Sequence, residues 1–417
     1  MLRTLSRIAV TASCLSRPSV LLGSSRSRST LAPLTDDEEL SLRAQGVPLC
    51  GHEQACADCA EPFDEDNPPS YLSKAQLDLW KQQKIDLSPN SLLSTAHPDP
   101  FRTHALISTG KTDWIREVSQ EFGSLAELFR KFVAADRMLD PPPAAQDPGS
   151  KLPEGVWTNS SASRVVFNNS SHVSSPQHDA SAESGKTHNL MLFPSFQLVI
   201  NVPAPVQERG KSNESLLQAI WNLYIRGACE RVSEEDKQLV KDQKVKRWTL
   251  PYRAVVLICS HQERDARCGI AASLLASSLR HHAEAAGWKV DERGDTVPRS
   301  PSETSTPARR ELSDANLSHD GAQSRAQDAQ GKGTDDDNEN TLGIFRISHI
   351  GGHKFAGNVI VYFSSGAGLW YGRVSPVRDA KLLFEKTIVQ GTVIPEFLRA
   401  GINLAKLPAA SSTKGEA

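Results

Sequence analysis

An α/β fold is what this chain predicts, with a thioredoxin-like layer at its C-terminal end and a less regular α/β region before it. Three observations carry that reading. Residues 254–258 (Ala-Val-Val-Leu-Ile) form an apolar, β-branched run suited to a strand buried on both faces. Residues 359–363 and 369–374 flank Ser-Ser-Gly-Ala-Gly, a good hairpin loop. Helical apolar spacing over 269–286, closed by Gly287 as a C-cap, lies between the two. At roughly 150 residues per domain, 417 residues suffice for two domains or a little more.

Read in order, the chain begins with an address label. Residues 1–35 hold five arginines, many serines and no acid, and Leu2, Leu5, Ile8 and Leu15 share a helical face. That composition predicts a mitochondrial transit peptide, and a secretory signal would need a continuous apolar stretch. The expected compartment is the matrix, with the intermembrane space left open. Cys14 is lost on maturation.

Residues 36–139 form an N-terminal region with a cysteine cluster, a short strand at 104–108 and an amphipathic helix at 114–134. Residues 140–188, rich in Pro, Ser, Asn and Asp, read as a mostly disordered linker in which 165–167 is a candidate strand. The N-terminal α/β region resumes over 189–250, with a strand at 196–202 and helical spacing through 214–231. The thioredoxin-like layer takes 251–290 and 341–407. Its order is strand, helix, strand at 343–348, hairpin, then a helix begun by Ser375-Pro376 and ended by Gly391. The intervening 291–340 has no aromatic residue and reads as a disordered insertion. No internal repeat is visible.

Composition excludes several classes. A formal charge of −2 lacks the basic surplus of a nucleic-acid binder. No apolar run approaches the ~18 residues that span a bilayer. Seven cysteines are too sparse for a disulfide scaffold.

Their placement carries the chemistry. Cys259 ends the 254–258 strand, and Cys268 stands where the next helix begins, a position that favours a thiolate. His349 and His353 lie across the insertion in Ser-His-Ile-Gly-Gly-His-Lys-Phe, with Gly351 and Gly352 allowing a tight turn. Two Cys and two His in matched loops form a metal site by ligand type. The plainer alternatives are a buried strand-end thiol, a small residue at a helix start and an unrelated histidine pair. Cys-x8-Cys is not the tight knuckle of structural zinc, so zinc ranks second. His261, Arg264, Asp265 and Lys354 stand beside these residues. For the charged ones, tuning of the site and plain solvent exposure are equally open.

A second group, Cys50, Cys56 and Cys59 with His52, supplies four zinc-type ligands or an exchanging dithiol at Cys56 and Cys59. The residues after Cys59 do not open a helix, which weighs against thioredoxin-type exchange. A thiol–disulfide oxidoreductase and a zinc-stabilised binding module are therefore the alternative readings.

Cys259-Ser-His-x3-Asp-x2-Cys268-Gly, His349-x-Gly-Gly-His353-Lys-Phe-Ala-Gly-Asn and Trp370-Tyr371-Gly372 together resemble the sucrase/ferredoxin-like family. The resemblance spans roughly 253–407 without the insertion. It implies a thioredoxin-like ferredoxin domain whose [2Fe–2S] cluster is held by Cys259, Cys268, His349 and His353. His261, Asp265 and Lys354 then become outer neighbours. Electron transfer in redox or thiol quality control follows, with redox proteins as donor and acceptor. Replacing two thiolates by neutral imidazoles lowers the negative charge around the irons. Such Cys2His2 centres lie at about −150 to +300 mV, against about −400 mV for plant-type clusters.

Overall fold

The computed structural model describes residues 34–50, 69–86, 90–139, 152–174, 187–206, 212–227, 232–295 and 340–408. Thr35 caps the first helix, α1 (Asp36–Ala44). Its hydroxyl accepts the Glu38 N–H, the Glu38 carboxylate accepts the Thr35 N–H, and four acids face the positive helix end. Leu34 and Leu42 anchor this segment in the core. The expected leader therefore overreaches, because Leu34 and Thr35 belong to the folded part. Its remainder, residues 1–33, lies outside the described residues. Two short helices follow, α2 (Lys74–Lys81) and α3 (Leu92–Ala96).

The rest is built from two units with the same order of elements. The first holds β1 (Thr103–Ser108), α4 (Leu125–Leu139), β2 (Val156–Trp157), β3 (Val165–Ser170), β4 (Thr187–Phe193), β5 (Gln197–Pro203) and α5 (Glu214–Ile220). A π-helical turn, Trp221–Ile225, extends α5, and α6 (Glu234–Asp242) and β6 (Lys246–Thr249) close the unit. The second holds β7 (Ala254–Cys259), α7 (Ala266–Ala285), β8 (Lys289–Asp291), β9 (Thr341–Ile347), β10 (Val359–Phe363), β11 (Gly368–Tyr371), α8 (Ala380–Leu382) and β12 (Leu398–Ile402). A π-helical segment, Leu383–Val389, continues α8.

Pairing repeats between the units. β1 runs parallel to β3 and antiparallel to β4, which forms a hairpin with β5. Likewise β7 runs parallel to β9 and antiparallel to β10, which forms a hairpin with β11. Among the described residues all twelve strands join one sheet, ordered β2-β12-β11-β10-β7-β9-β3-β1-β4-β5-β6, with β8 on β9. Backbone pairing joins the units where β2 runs parallel to β12 and, mid-sheet, through one residue pair, Ser170 of β3 opposite Ile347 of β9.

From that joint the two halves of the sheet fold face to face. One core lies between them: Leu106, Met191 and Phe193 from the first, Val255, Leu257, Phe345 and Tyr362 from the second. The Phe193 ring stacks on Tyr362 at 4.4 Å, and His104 Nδ1 meets the Tyr362 hydroxyl at 3.1 Å. Along β7 the alternate residues Val256 and Ile258 face a second core with α1, α7 and α8 residues. Residues of α4 and α5 form a third core against the outer face of the first unit. A strand buried on both faces loses the polar alternation of a surface strand, hence the unbroken apolar run at 254–258.

Several expectations need correcting. Within the expected linker 140–188 the described residues 152–174 are folded, since 156–157 and 165–170 are strands and β3 sits mid-sheet. Its Asn168, Asn169 and Ser170 are buried polar residues. The Asn168 amide donates to Ser348 Oγ and the His349 carbonyl, so burial leaves it satisfied. The helix expected from 114 begins at Leu125. The one expected at Ser375 begins at Ala380, where Asp379 Oδ2 first accepts the Ser375 N–H. Asp291, placed at the start of the insertion, belongs to β8, and its carboxylate takes the Tyr252 hydroxyl and three backbone N–H groups. Residues 296–339 lie outside the described residues.

Two measurements test this core. Phe193→Ala removes the stack between the half-sheets and should cost about 3–5 kcal/mol in urea unfolding; a loss below about 1 kcal/mol would show that the halves do not depend on it. Burial holds His104 and His172 down to about 4. Their neutral forms stabilise the fold fully above the unfolded-state value of about 6.5, and that stability is lost as pH falls from there toward 4. His104→Gln should flatten the pH dependence in that window by about 1.4 kcal/mol per pH unit. An unchanged slope would contradict a neutral buried imidazole.

Candidate metal centre

The parallel pairing of β7 with β9 sets the site. Cys259 and Ile347 are register partners, so the loops leaving these strands, 260–265 and 348–358, emerge side by side. In the first loop Ser260 N–H donates to the Ile347 carbonyl (3.0 Å), locking the exit. Asp265 then caps α7 by accepting the Arg267 N–H at 3.0 Å, which places Cys268 in the first helical turn. Both thiols are buried, Cys259 2% and Cys268 1% exposed.

In the second loop Gly351 and Gly352 take left-handed conformations, φ +81° and +68°. A side chain on Gly352 would strike the Arg399 guanidinium, 2.6 Å from the ideal Cβ. Asn358 Nδ2 donates to the Gly352 carbonyl (2.9 Å) and closes the loop. The turn leaves the His349 and His353 rings 5.6 Å apart. His353 is about half exposed and its Nε2 lies 4.0 Å from Asp265 Oδ2.

These loops bring the expected residues together. Cys259 sulfur is hydrogen-bonded by the Cys268 thiol, the His349 side chain and the Ile350 N–H, which hold it well below the usual thiol range. Cys268 is raised, first by its bond to Cys259 and then by burial, so the pair shares one proton. His349 Nδ1 is buried with no hydrogen-bond partner, a nitrogen with a lone pair to give. Among the described residues no group of three or more His, Cys, Asp or Glu is placed to hold a single metal ion. The ligand-type side chains fall instead into two sulfurs and two imidazoles. A dinuclear cluster needs only two protein ligands per iron, and this donor set fits one.

The neighbours sort by contact. His261 is no ligand: Nε2–H donates to the Trp114 and Ile115 carbonyls (both 3.0 Å), and Nδ1 accepts the His349 N–H (3.1 Å). It ties the 348–358 loop to residues 109–117 of the first unit, aided by Ser260 Oγ donating to the Thr112 carbonyl. Asp265 pairs bidentately with Arg267, which keeps its carboxyl below the usual range. Arg264 pairs with Glu117. Lys354 pairs with Asp86 at 3.2 Å, within a strap whose Lys84 carbonyl also accepts Arg267 Nη1.

Sequence reasoning missed Arg399. Its guanidinium is buried in β12, donating to Asn358 Oδ1 (2.6 Å) and the Ala96 carbonyl (2.8 Å), and lies 5.5 Å from the Trp370 ring centre. Burial lowers it to about 10, against the opposing pull of Cys259 and Cys268, so it stays charged beside the sulfurs. A lone cation in the apolar run Phe397-Leu-Arg-Ala-Gly-Ile402 was the available signal, because a buried charge requires a partner.

The first unit has a counterpart to this site without its sulfurs. His172 follows the end of β3 by two residues, as His349 follows β9, and Ser108 stands where β7 has Cys259. Both turn to Asn189: Ser108 Oγ accepts its N–H (2.8 Å), and His172 Nε2 meets its carbonyl (3.2 Å). Of the other cysteine group, Cys50 is buried and in no disulfide, its N–H donating to the Val393 carbonyl at 2.9 Å. His52, Cys56 and Cys59 lie outside the described residues.

A family profile described as sucrase/ferredoxin-like matches residues 94–400, covering both units. Among curated proteins, altered inheritance of mitochondria protein 32 of Meyerozyma guilliermondii is 27% identical over 149 residues, covering 36% of this chain and 35% of that protein. The protein of the same name from Debaryomyces hansenii is 26% identical over 151 residues, covering 36% of each. The one from Saccharomyces cerevisiae is 45% identical over 74 residues, covering 16% of this chain and 22% of that protein. The alignments thus span about a third or less of these relatives. No solved structure matches.

In metal-free protein, the shared proton predicts thiolate ultraviolet absorption that persists at neutral pH. Cys259→Ala should abolish it and Cys268→Ala should move its titration upward. Wild-type protein without that absorption would refute the pair.

Proposed function

Since the chain belongs to the sucrase/ferredoxin-like family, we propose that it is a mitochondrial one-electron carrier serving redox or thiol quality control, with a [2Fe–2S] cluster on Cys259, Cys268, His349 and His353. The observation that carries this reading is the convergence of two sulfurs and two imidazoles from loops about eighty residues apart in sequence. When bound, the cluster supplies one-electron oxidation and reduction.

The chain's own residues prepare that role. Cys259 and Cys268 bring thiolates into a buried place where water cannot solvate them. Arg399 balances part of that charge, and the Ile350 N–H adds a hydrogen bond to Cys259 sulfur. Each imidazole keeps a second nitrogen on which a proton is held or released, so electron and proton uptake become linked. His353, about half exposed, marks the edge where redox protein partners approach. The mitochondrial setting rests on the relatives' names and on the arginine-rich, acid-free composition of residues 1–33. Among the described residues no helix is long and apolar enough to cross a membrane.

Anaerobically purified protein should contain iron and acid-labile sulfide in near-equal amounts, with a visible spectrum bleached by dithionite and an EPR signal in the reduced state. His353→Cys should retain iron and lower the potential, since a thiolate adds negative charge. The wild-type potential should fall with rising pH above the imidazole pKa of the oxidised form. Zinc in place of iron, or a potential flat across that range, would overturn the assignment.

A further inference from the structure

Where β3 and the loop after β9 part company, beyond the single pair Ser170–Ile347, the structure leaves a cavity of about 330 Å³. Its volume lies at the lower end of the ~300–1,000 Å³ range of small-molecule pockets, and junctions between packed units are where such pockets concentrate. Trp370, Phe101, Phe167 and Ile350 give it flat apolar walls, and His349 forms part of the side toward the metal centre.

The charged residues in its wall are Arg137, Arg164 and Asp99. Asp99 is paired to Arg164 at 2.6 Å and is itself largely exposed, so it shows how a carboxylate meets that guanidinium. Arg137, on the exposed side of α4, has no carboxylate partner among the described residues. His104 adds no charge, because burial keeps it neutral and both its ring nitrogens are engaged, with Tyr362 and Asn168. Asn168 is likewise committed, to His104 and to the 348–349 backbone. The cavity thus combines aromatic walls and one surplus positive charge with three buried nitrogens that have no hydrogen-bond partner, His349 Nδ1, Trp370 Nε1 and Arg164 Nε.

We propose that this cavity binds a small planar aromatic acid, its ring against Trp370 and Phe101 and its carboxylate at Arg137 and Arg164, in contact range of His349. Charge selects an anion, the walls select a flat ring, and the volume limits the occupant to one or two fused rings. A guanidinium–carboxylate pair adds direction as well as attraction, which orients the ring. The proposal needs no metal at the neighbouring site. Any effect of the ligand on a cluster rests additionally on the function proposed above.

The test uses full-length protein and 2-naphthoate as probe, with 2-naphthamide as its uncharged match and inorganic phosphate as the anion without a ring. Titration calorimetry, with and without iron loading, should show one saturable site for 2-naphthoate in both forms, and tryptophan fluorescence should change in parallel. The amide and phosphate should each bind at least about tenfold more weakly, a factor equal to about 1.4 kcal/mol. Arg137→Glu, at an exposed position that leaves the core untouched, should weaken 2-naphthoate at least about tenfold, and Arg164→Gln should do the same. Equal binding of the amide, affinity indifferent to both substitutions, or no saturable binding would overturn the proposal. In iron-loaded protein the ligand should also shift the EPR spectrum. Binding without that shift would leave the aromatic-acid site standing and refute its contact with His349.

Discussion

The parallel register of β7 on β9 is the constraint on which the rest depends. Ala254 pairs with Leu342 and the match continues to Cys259 opposite Ile347, so the strands end level and their loops share one space. Side chains alternate along a strand, and a slip of one residue would turn Cys259 to the opposite face. Two cores fix the register from both sides of the sheet, because Val256 and Ile258 fill one while Val255 and Leu257 fill the other. The site is thus held by residues that never touch it.

Electrostatics then decides what the shared space can hold. Two buried sulfurs close enough to exchange a proton favour a charge that burial opposes. The protein meets that conflict with fixed positive groups: the Arg399 guanidinium and a backbone N–H. Gly352 has no side chain where one would collide with Arg399, so loop and cation pack directly. His261 completes the support by accepting from one loop and donating to another, which leaves it no lone pair for a metal.

Much of this was legible because it was local. The apolar run of β7, the hairpin, Gly287 at the end of α7 and the ligand spacing each depend on neighbours a few residues away. What stayed hidden depends on distant partners. Asn168, Asn169 and Ser170 have the composition of a loop, yet they form a central strand because residues 348–349 satisfy Asn168. The helix expected from 114 does not start there, because the Trp114 and Ile115 carbonyls are taken by His261 and the Thr112 carbonyl by Ser260. Arg399 went unread because the sulfurs it accompanies lie more than a hundred residues away in the chain. The doubled architecture stayed hidden because the units share connectivity and few side chains, the histidine two residues past β3 and β9 among them.

That doubling has an evolutionary implication. If both halves descend from one ancestral module by tandem copying, the copies have divided their labour. One kept sulfur and imidazole at its strand ends, while the other holds serine and histidine there, knotted to an asparagine. The copy without the sulfurs then became the brace, since its 109–117 loop grips the 260–265 and 348–358 loops of its twin. Selection on the silent half therefore acts through shape and hydrogen bonding, and its residues are free to drift in chemistry so long as that grip persists.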